Sequence, residues 1–316
     1  MHSDQAAGLR AMKTNNLNHD DENSDMLTTT MENVQKNSLK NKSGKRSKPI
    51  RVIAVASGKG GVGKTNVSIN LSVALTKLGN RVLLMDADMG LANVDIMLGL
   101  QTKYNLSHVL SGEKSLVDIM VDAPGGFKIV PATSGDSRMA QLTTAENAGI
   151  INAFSEIDGF LDVLIIDTAA GIADSVVSYC RAAQEVVVVV TDEPASMTDA
   201  YALIKVLSRE HHLTKFQLMA NMTRTTKHGL ELHKKFANVC ESFLDVTVNY
   251  LGTIPFDHDL REAIQKQAPV TIAKPNSESA KAFNLAANRI NQWPISENAT
   301  GYLQFFIENL FQYQQN

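Results

Sequence analysis

Apolar residues fall along this chain in short runs that close on glycine or an acid, and longer stretches at helical spacing separate the runs. Arg51-Val52-Ile53-Ala54-Val55-Ala56 predicts a buried strand ahead of a glycine-rich turn. Val67, Ile69, Leu71, Val73 and Leu75 follow it on a helix. Arg81-Val82-Leu83-Leu84-Met85 predicts a second buried strand that runs into acids, and residues 127–131 a short one after Gly125-Gly126. Leu164-Ile165-Ile166 leads into Asp167. The run EVVVVVT at 185–191 shows no polar alternation, as a strand covered on both faces does not. Residues 216–221 predict a further strand. Helices are expected over 98–110, near 145–157, and over 196–207 and 226–244. This alternation extends from about residue 50 to 293, which predicts one doubly wound α/β domain with a mainly parallel sheet over 50–293. A polar extension, 1–49, precedes it, and a tail, 294–316, follows the break at Trp293-Pro294.

Composition narrows the function classes. The formal net charge of -3 over 316 residues gives no bulk attraction to nucleic acid. The Lys/Arg cluster over 40–51 could touch acidic lipid or nucleic acid, but reads first as a solvated linker. The two cysteines, Cys180 and Cys240, are far apart and form no CxxC pair, which fits a reducing cytosol rather than a disulfide or metal framework. No apolar run is long enough to span a bilayer, and no apolar segment after the start suggests a secretory signal. His211, His212, His228 and His233 lack zinc spacing backed by cysteines and are expected as surface or core residues.

The chemistry concentrates at 57–66, SGKGGVGKTN. Gly58, Gly63, Lys64 and Thr65 fit GxxxxGK[ST], and the strand before and helix after supply the context of a phosphate-binding loop. Glycines let backbone amides converge on phosphate oxygens, and the helix N-terminus adds partial positive charge. Lys64 would reach the β- and γ-phosphates, and Thr65 would place its hydroxyl on Mg²⁺. Asp86 and Asp88 close a strand where open α/β sheets bind ligands. Apolar residues leading into Asp167, with Gly171 four positions on, predict a second magnesium-linked carboxylate and a loop that senses the γ-phosphate.

Lys59, with Gly60, Gly61, Val62, Gly63, Lys64 and Thr65, gives KGGVGKT, which resembles the deviant Walker A loop of the MinD/ParA ATPases. The resemblance implies ATP and Mg²⁺ as ligands, with Asn66 completing the loop, and a homodimer that sandwiches two nucleotides. It implies that Lys59 reaches across that dimer to the partner's phosphates, and that Asp88 orients the attacking water. Asp86 lies near the magnesium shell and Asp167 holds the metal through water. Glu193 faces the nucleotide or the partner subunit, Asn221 hydrogen-bonds adenine, and the backbone of the segment from Tyr250 to Asp257, ending in Pro255, Phe256 and Asp257, closes over the base. Arginine often follows that asparagine in the family; this chain has Met222.

Both ends carry further resemblances. Asp4-Gln5-Ala6-Ala7-Gly8-Leu9-Arg10 is similar to the DQAxxLR element of the FlhG regulators, where a short helix stimulates the GTPase FlhF and the glutamine, here Gln5, enters its active site. Gly8 costs a helix about 1 kcal/mol relative to Ala, so this one is expected to order on binding. In the tail, Leu303, Phe306, Ile307, Leu310 and Phe311 fall within an arc of about 140° on a helix. Gln304, Glu308 and Gln312 lie outside it. This resembles the C-terminal membrane-targeting helix of MinD and FlhG. Fully burying five such side chains is worth about 7–15 kcal/mol gross. Phe305 sits off the stripe and no Lys or Arg flanks it. The FlhG/FleN resemblance implies control of flagellar number and placement at the inner face of the cytoplasmic membrane, at the cell pole. Implied partners are an FlhF-type GTPase, a FleQ/FlrA-type transcriptional regulator and C-ring switch proteins. A ParA-type partition ATPase would need a basic DNA-binding face, and an iron-protein or Mrp-type carrier would need paired cysteines at a dimer axis.

Overall fold

The structure, a computed structural model, describes residues 50–88, 93–131, 153–154 and 157–294. The element at 4–10, the tail stripe at 303–311 and most of the helix expected near 145–157 lie outside the described residues. Eight strands are described: β1 (Arg51–Ser57), β2 (Val82–Ala87), β3 (Val121–Asp122), β4 (Lys128–Val130), β5 (Val163–Ala170), β6 (Glu185–Val190), β7 (Lys215–Thr223) and β8 (Thr247–Pro255). They form one sheet in the order β3-β4-β2-β5-β1-β6-β7-β8. Every neighbouring pair is parallel except β3 with β4. β1 is central, with β5 on one side and β6 on the other, so the connections diverge on either side of it. That divergence opens a crevice at the carboxyl end of β1, where such sheets bind ligands.

The period-two geometry of a strand explains the two cores. Ile53 and Val55 of β1 face one side, with Leu84, Ile165, Val187 and Leu251. Helix α1 (Lys64–Lys77) covers that side with α10 (Glu278–Asn291), through Leu71 and Leu75 from the first and Phe283, Ala287 and Ile290 from the second. Shorter helices α8 (His258–Gln265) and α9 (Val270–Ala273) seal the rim. Val52, Ala54 and Ala56 face the other side. There α5 (Asp174–Ala182), α6 (Pro194–Arg209) and α7 (Thr226–Leu244) pack over β5, β6 and β7. Helices α2 (Val94–Met97), α3 (Leu106–Leu110) and α4 (Leu116–Ile119) lie in the β2–β3 connection. Strands with helices on both faces need no polar alternation, which is why the valines of β6 are all buried.

One local expectation changes, and two strands, β8 and β3, join those expected. The helix expected over 98–110 is broken: Gly99, at φ 64°, ends α2 in the left-handed region, and Asn105 restarts the chain by accepting from the Ser107 amide. The segment from Tyr250 to Asp257, expected to close over a base, belongs mostly to an edge strand, β8. Its exposed edge is partly capped, since Arg289 donates to Leu251 O at 2.6 Å and His233 Nε2 lies 2.8 Å from Val248 O. The two-residue strand β3 gave no signal of its own. The end of α10 is tied to the start of β1 by the Arg51 guanidinium, which donates to the carbonyls of Ile290 and Trp293.

Phe283 is fully buried between α1 and the sheet, whereas Phe243 of α7 is 66% exposed. Phe283→Ala should therefore destabilise the fold by about 3–5 kcal/mol, and Phe243→Ala by well under 1 kcal/mol. Urea denaturation of the two variants checks this.

Candidate nucleotide site

β1 ends at Ser57, and the chain turns through five loop residues and Gly63 before α1 begins at Lys64. Gly61 and Gly63 hold φ of 81° and 85°, a region that L side chains rarely adopt. Gly63 stands at the N-cap of α1, and no side chain caps that end. The first-turn amides thus have no intrahelical partner and face the loop's concavity, a ready anion cradle. The surroundings clamp the loop tightly. A Cβ on Gly58 would lie 2.0 Å from the Asp199 carbonyl carbon of α6, and one on Gly63 would lie 2.5 Å from Asn221 Nδ2. Asn221 donates that Nδ2 to Val62 O at 2.7 Å. The Gly171 amide donates to Ser57 O at 2.9 Å, joining the end of β5 to the start of the loop.

Two acids sit beneath this cradle. Asp86 of β2 and Asp167 of β5 are directly opposite in register on adjacent strands, and both are buried. Burial raises the carboxyl of Asp167, against the opposing charge of Lys64 and hydrogen bonds from Thr65 and Ser68. Ser68 Oγ, one turn into α1, donates to Asp167 Oδ1 at 2.9 Å. Burial and the neighbouring Asp167 push Asp86 up to about 6. Amides of Asp88, Asn93 and Val94 donate to Asp86 at 3.1, 3.0 and 3.2 Å and pull the other way. Paired buried carboxylates with raised affinity for protons are short of positive charge, which fits a divalent cation. No cluster of three or more metal-ligating side chains exists among the described residues. Two carboxylates and a threonine hydroxyl suit Mg²⁺, which usually keeps several waters and takes its other oxygens from phosphate.

The remaining candidates spread around the rim. Lys59 is not directed into the loop: its Nζ lies 2.8 Å from Glu193 Oε2, and both side chains are well exposed. That hydrogen bond and the charge of Glu193 raise the Lys59 ammonium. Asp192, the next acid, pairs with His228 at 3.1 Å. The β6–α6 turn therefore binds one cationic side chain from the glycine loop and a histidine from the first turn of α7. Asn221 is buried with its amide nitrogen engaged and its Oδ1 without a partner, the donor-seeking atom that a base amine would satisfy. Phe256 is half exposed at the end of β8, with the ring of His258 5.3 Å away and the Arg261 guanidinium 5.8 Å away. Met222, at φ 56°, approaches Gly63 with its Cε.

The Asp257 side chain is taken up within the fold. Its Oδ1 caps α8 by accepting from the Asp259 amide, and its Oδ2 accepts the Ser279 amide and hydroxyl. Those bonds hold its carboxyl below the usual range despite partial burial. That leaves backbone at this position for a base, the part the family resemblance assigns to it. The pairing of Lys59 with Glu193 and the contact of Gly58 with α6 were not legible in sequence, because 134 and 141 residues separate the partners.

The contrast between Gly58 and Gly60 gives a test. No atom lies within 4 Å of a Cβ placed on Gly60, whose φ is not in the left-handed region. Gly58→Ala should displace α6 from the loop, costing about 1–3 kcal/mol and weakening nucleotide binding at least tenfold. Gly60→Ala should melt like the parent. Thermal melts with and without ADP check both.

The model of the ParA family, described as NUBPL iron-transfer P-loop NTPase, matches residues 48–291. The antiactivator FleN of Pseudomonas aeruginosa is 52% identical over 265 residues, covering 84% of this chain and 95% of that protein. The flagellum site-determining protein YlxH of Helicobacter pylori is 33% identical over 264 residues, covering 82% of this chain and 87% of that protein. Among solved structures, the septum site-determining protein MinD of Pyrococcus horikoshii, complexed with Mg-ADP, matches with a TM-score of 0.61 at 26% identity, over 77% of this chain and 96% of that one. Fold, glycine loop and relatives converge: the chain belongs to the FleN/FlhG group of MinD-like ATPases in the ParA family of P-loop NTPases.

Proposed function

We propose that this protein is an ATP-hydrolysing switch that dimerises around ATP, attaches reversibly to the membrane, and regulates flagellar number and placement. The observation that carries this reading is Lys59. It is a second lysine in the glycine loop, turned away from the cradle that Lys64 serves, and held at the surface by Glu193. A cation placed there is available to a second copy facing the same rim. The flagellar role is supported by the relatives FleN and YlxH.

In this reading Lys64 and the amides of Gly60, Gly61, Val62, Gly63, Thr65 and Asn66 hold the triphosphate. Thr65, Asp86 and Asp167 would hold Mg²⁺, which neutralises phosphate charge. Asn221 offers its free Oδ1 to the adenine amine, while Pro255, Phe256 and the backbone of Asp257 close the base end. Asp88 orients a water whose oxygen bonds the γ-phosphorus as the bond to the β–γ bridging oxygen breaks, yielding ADP and inorganic phosphate. Lys59 exchanges Glu193 for the partner's phosphates and there stabilises transition-state charge, as an arginine finger does. Glu193, freed, faces the partner subunit.

The ends supply the output. Leu303, Phe306, Ile307, Leu310 and Phe311 would enter the membrane surface, and Gln5 would enter an FlhF-type GTPase. A FleQ/FlrA-type regulator and C-ring proteins complete the partner set, and the place of action is the polar cytoplasmic membrane. An iron-transfer role is disfavoured by the cysteines. Cys180 and Cys240 are both buried, and burial pushes both thiols up to about 12, so neither presents a thiolate at a surface.

Two measurements test the proposal. Lys59→Ala should retain ADP affinity within about threefold yet lose ATP turnover by about 10³-fold or more; turnover equal to the parent would contradict a role in trans. With ATP, Phe306→Glu combined with Leu310→Glu should abolish sedimentation with anionic vesicles. Unchanged sedimentation would remove the tail from the membrane role.

A further inference from the structure

Away from the glycine loop, a cavity of about 520 Å³ lies between the first turn of α7, the C-terminal half of β8 and the outer side of α10. Arg224, Lys281 and Arg289 open onto it, against a single carboxylate, Glu278. Among the described residues none of these three cations has a carboxylate partner. Other surface lysines of the same half do: Lys266 pairs with Glu262, and Lys274 with Asp259 and Glu262. Three unpaired positive groups around one concavity repel one another and concentrate a positive potential there.

Arg289 is fixed rather than loose. It donates to Leu251 O at 2.6 Å and its guanidinium lies 5.2 Å from the Tyr250 ring centroid. The cavity exists because its floor is made of small residues, Gly252, Ala282 and Ala286. Gly252 has no tight contact that requires glycine, since the atom nearest to an added Cβ is 3.6 Å away. The Tyr250 ring and Leu285, which is 62% exposed, add apolar surface beside the cations. A cavity of this size, with cations on its rim and an apolar wall beside them, suits a small anionic ligand rather than a chain segment.

We propose that this pocket is a second binding site for a phosphate-bearing small molecule of roughly mononucleotide size, separate from the glycine loop. Arg224, Lys281 and Arg289 hold the phosphate, and Tyr250 and Leu285 carry the rest of the ligand. Glu278 weakens the site and selects against larger anionic loads. The pocket shares Pro255 with the base end of the candidate nucleotide site, and Arg224 follows Thr223, whose carbonyl accepts from the Phe256 amide at 2.7 Å. The proposal does not rest on hydrolysis or dimerisation.

The test is calorimetric titration of the full chain, saturated with Mg-ADP, using ribose 5-phosphate as the probe. The parent should bind, and Arg224→Ala with Lys281→Ala should raise Kd at least tenfold. Glu278→Gln should lower Kd severalfold, an opposite shift that misfolding does not mimic. The proposal is overturned by absence of binding at about 10 mM probe, ten times the Kd of a millimolar site, or by equal Kd in every variant. It is also overturned if sodium sulfate of equal ionic strength reproduces the heat. If only vesicles containing phosphatidic acid, or only a phosphopeptide, bind in an Arg224-dependent way, the small-molecule assignment fails.

Discussion

Asp86 and Asp167 stand opposite each other on neighbouring strands, both buried, with the glycine loop above them. Burial makes both carboxylates costly to ionise, the charge of Asp167 adds to that cost at Asp86, and both are shifted toward the protonated state. The surrounding structure offsets that cost with what it has. Three amides donate to Asp86, Ser68 donates to Asp167, and the charge of Lys64 acts on Asp167. The arrangement requires parallel strands whose ends are level, a helix that starts directly over them, and a loop free of side chains between. Each requirement reappears as a feature of the fold. β1 is central, α1 starts at Lys64 without a side-chain cap, and Gly58 and Gly63 occupy positions where a Cβ would strike α6 or Asn221.

Much of this was legible from residue order because its causes are local. The strand–loop–helix unit shows itself through apolar runs and glycines, two of which adopt φ above 80°. The valines of β6 announce burial on both faces, and α7 runs over the span its apolar spacing predicts, 226–244, behind a Thr225 cap. What failed to show depends on contacts far apart in sequence. Nothing near Asp257 indicates that Ser279 will engage its carboxylate, and nothing near Asn221 indicates that its amide nitrogen will hold Val62. The break between α2 and α3 is set by backbone, by Gly99 in the left-handed region and the Asn105 cap, with the apolar residues Leu98, Leu100 and Leu106 around it.

Lys59 connects the site to the proposed switch. An exposed ion pair is weak, so the contact with Glu193 positions the ammonium without trapping it. A triphosphate on a facing copy offers a far higher charge density, and the pair would exchange toward it on dimerisation. In the proposed switch Glu193 would act as a resting place for a group that works in the partner's site. Glu193 would then serve the nucleotide rim by holding Lys59, and the dimer, rather than the single chain, would be the complete catalytic unit.

Light scattering coupled to size exclusion tests that claim most directly. Asp88→Ala, chosen to hold ATP unhydrolysed, should run as a dimer with ATP and as a monomer with ADP. The same variant carrying Lys59→Ala should remain monomeric with ATP. A monomer in every state, or a dimer that persists without Lys59, would contradict the account.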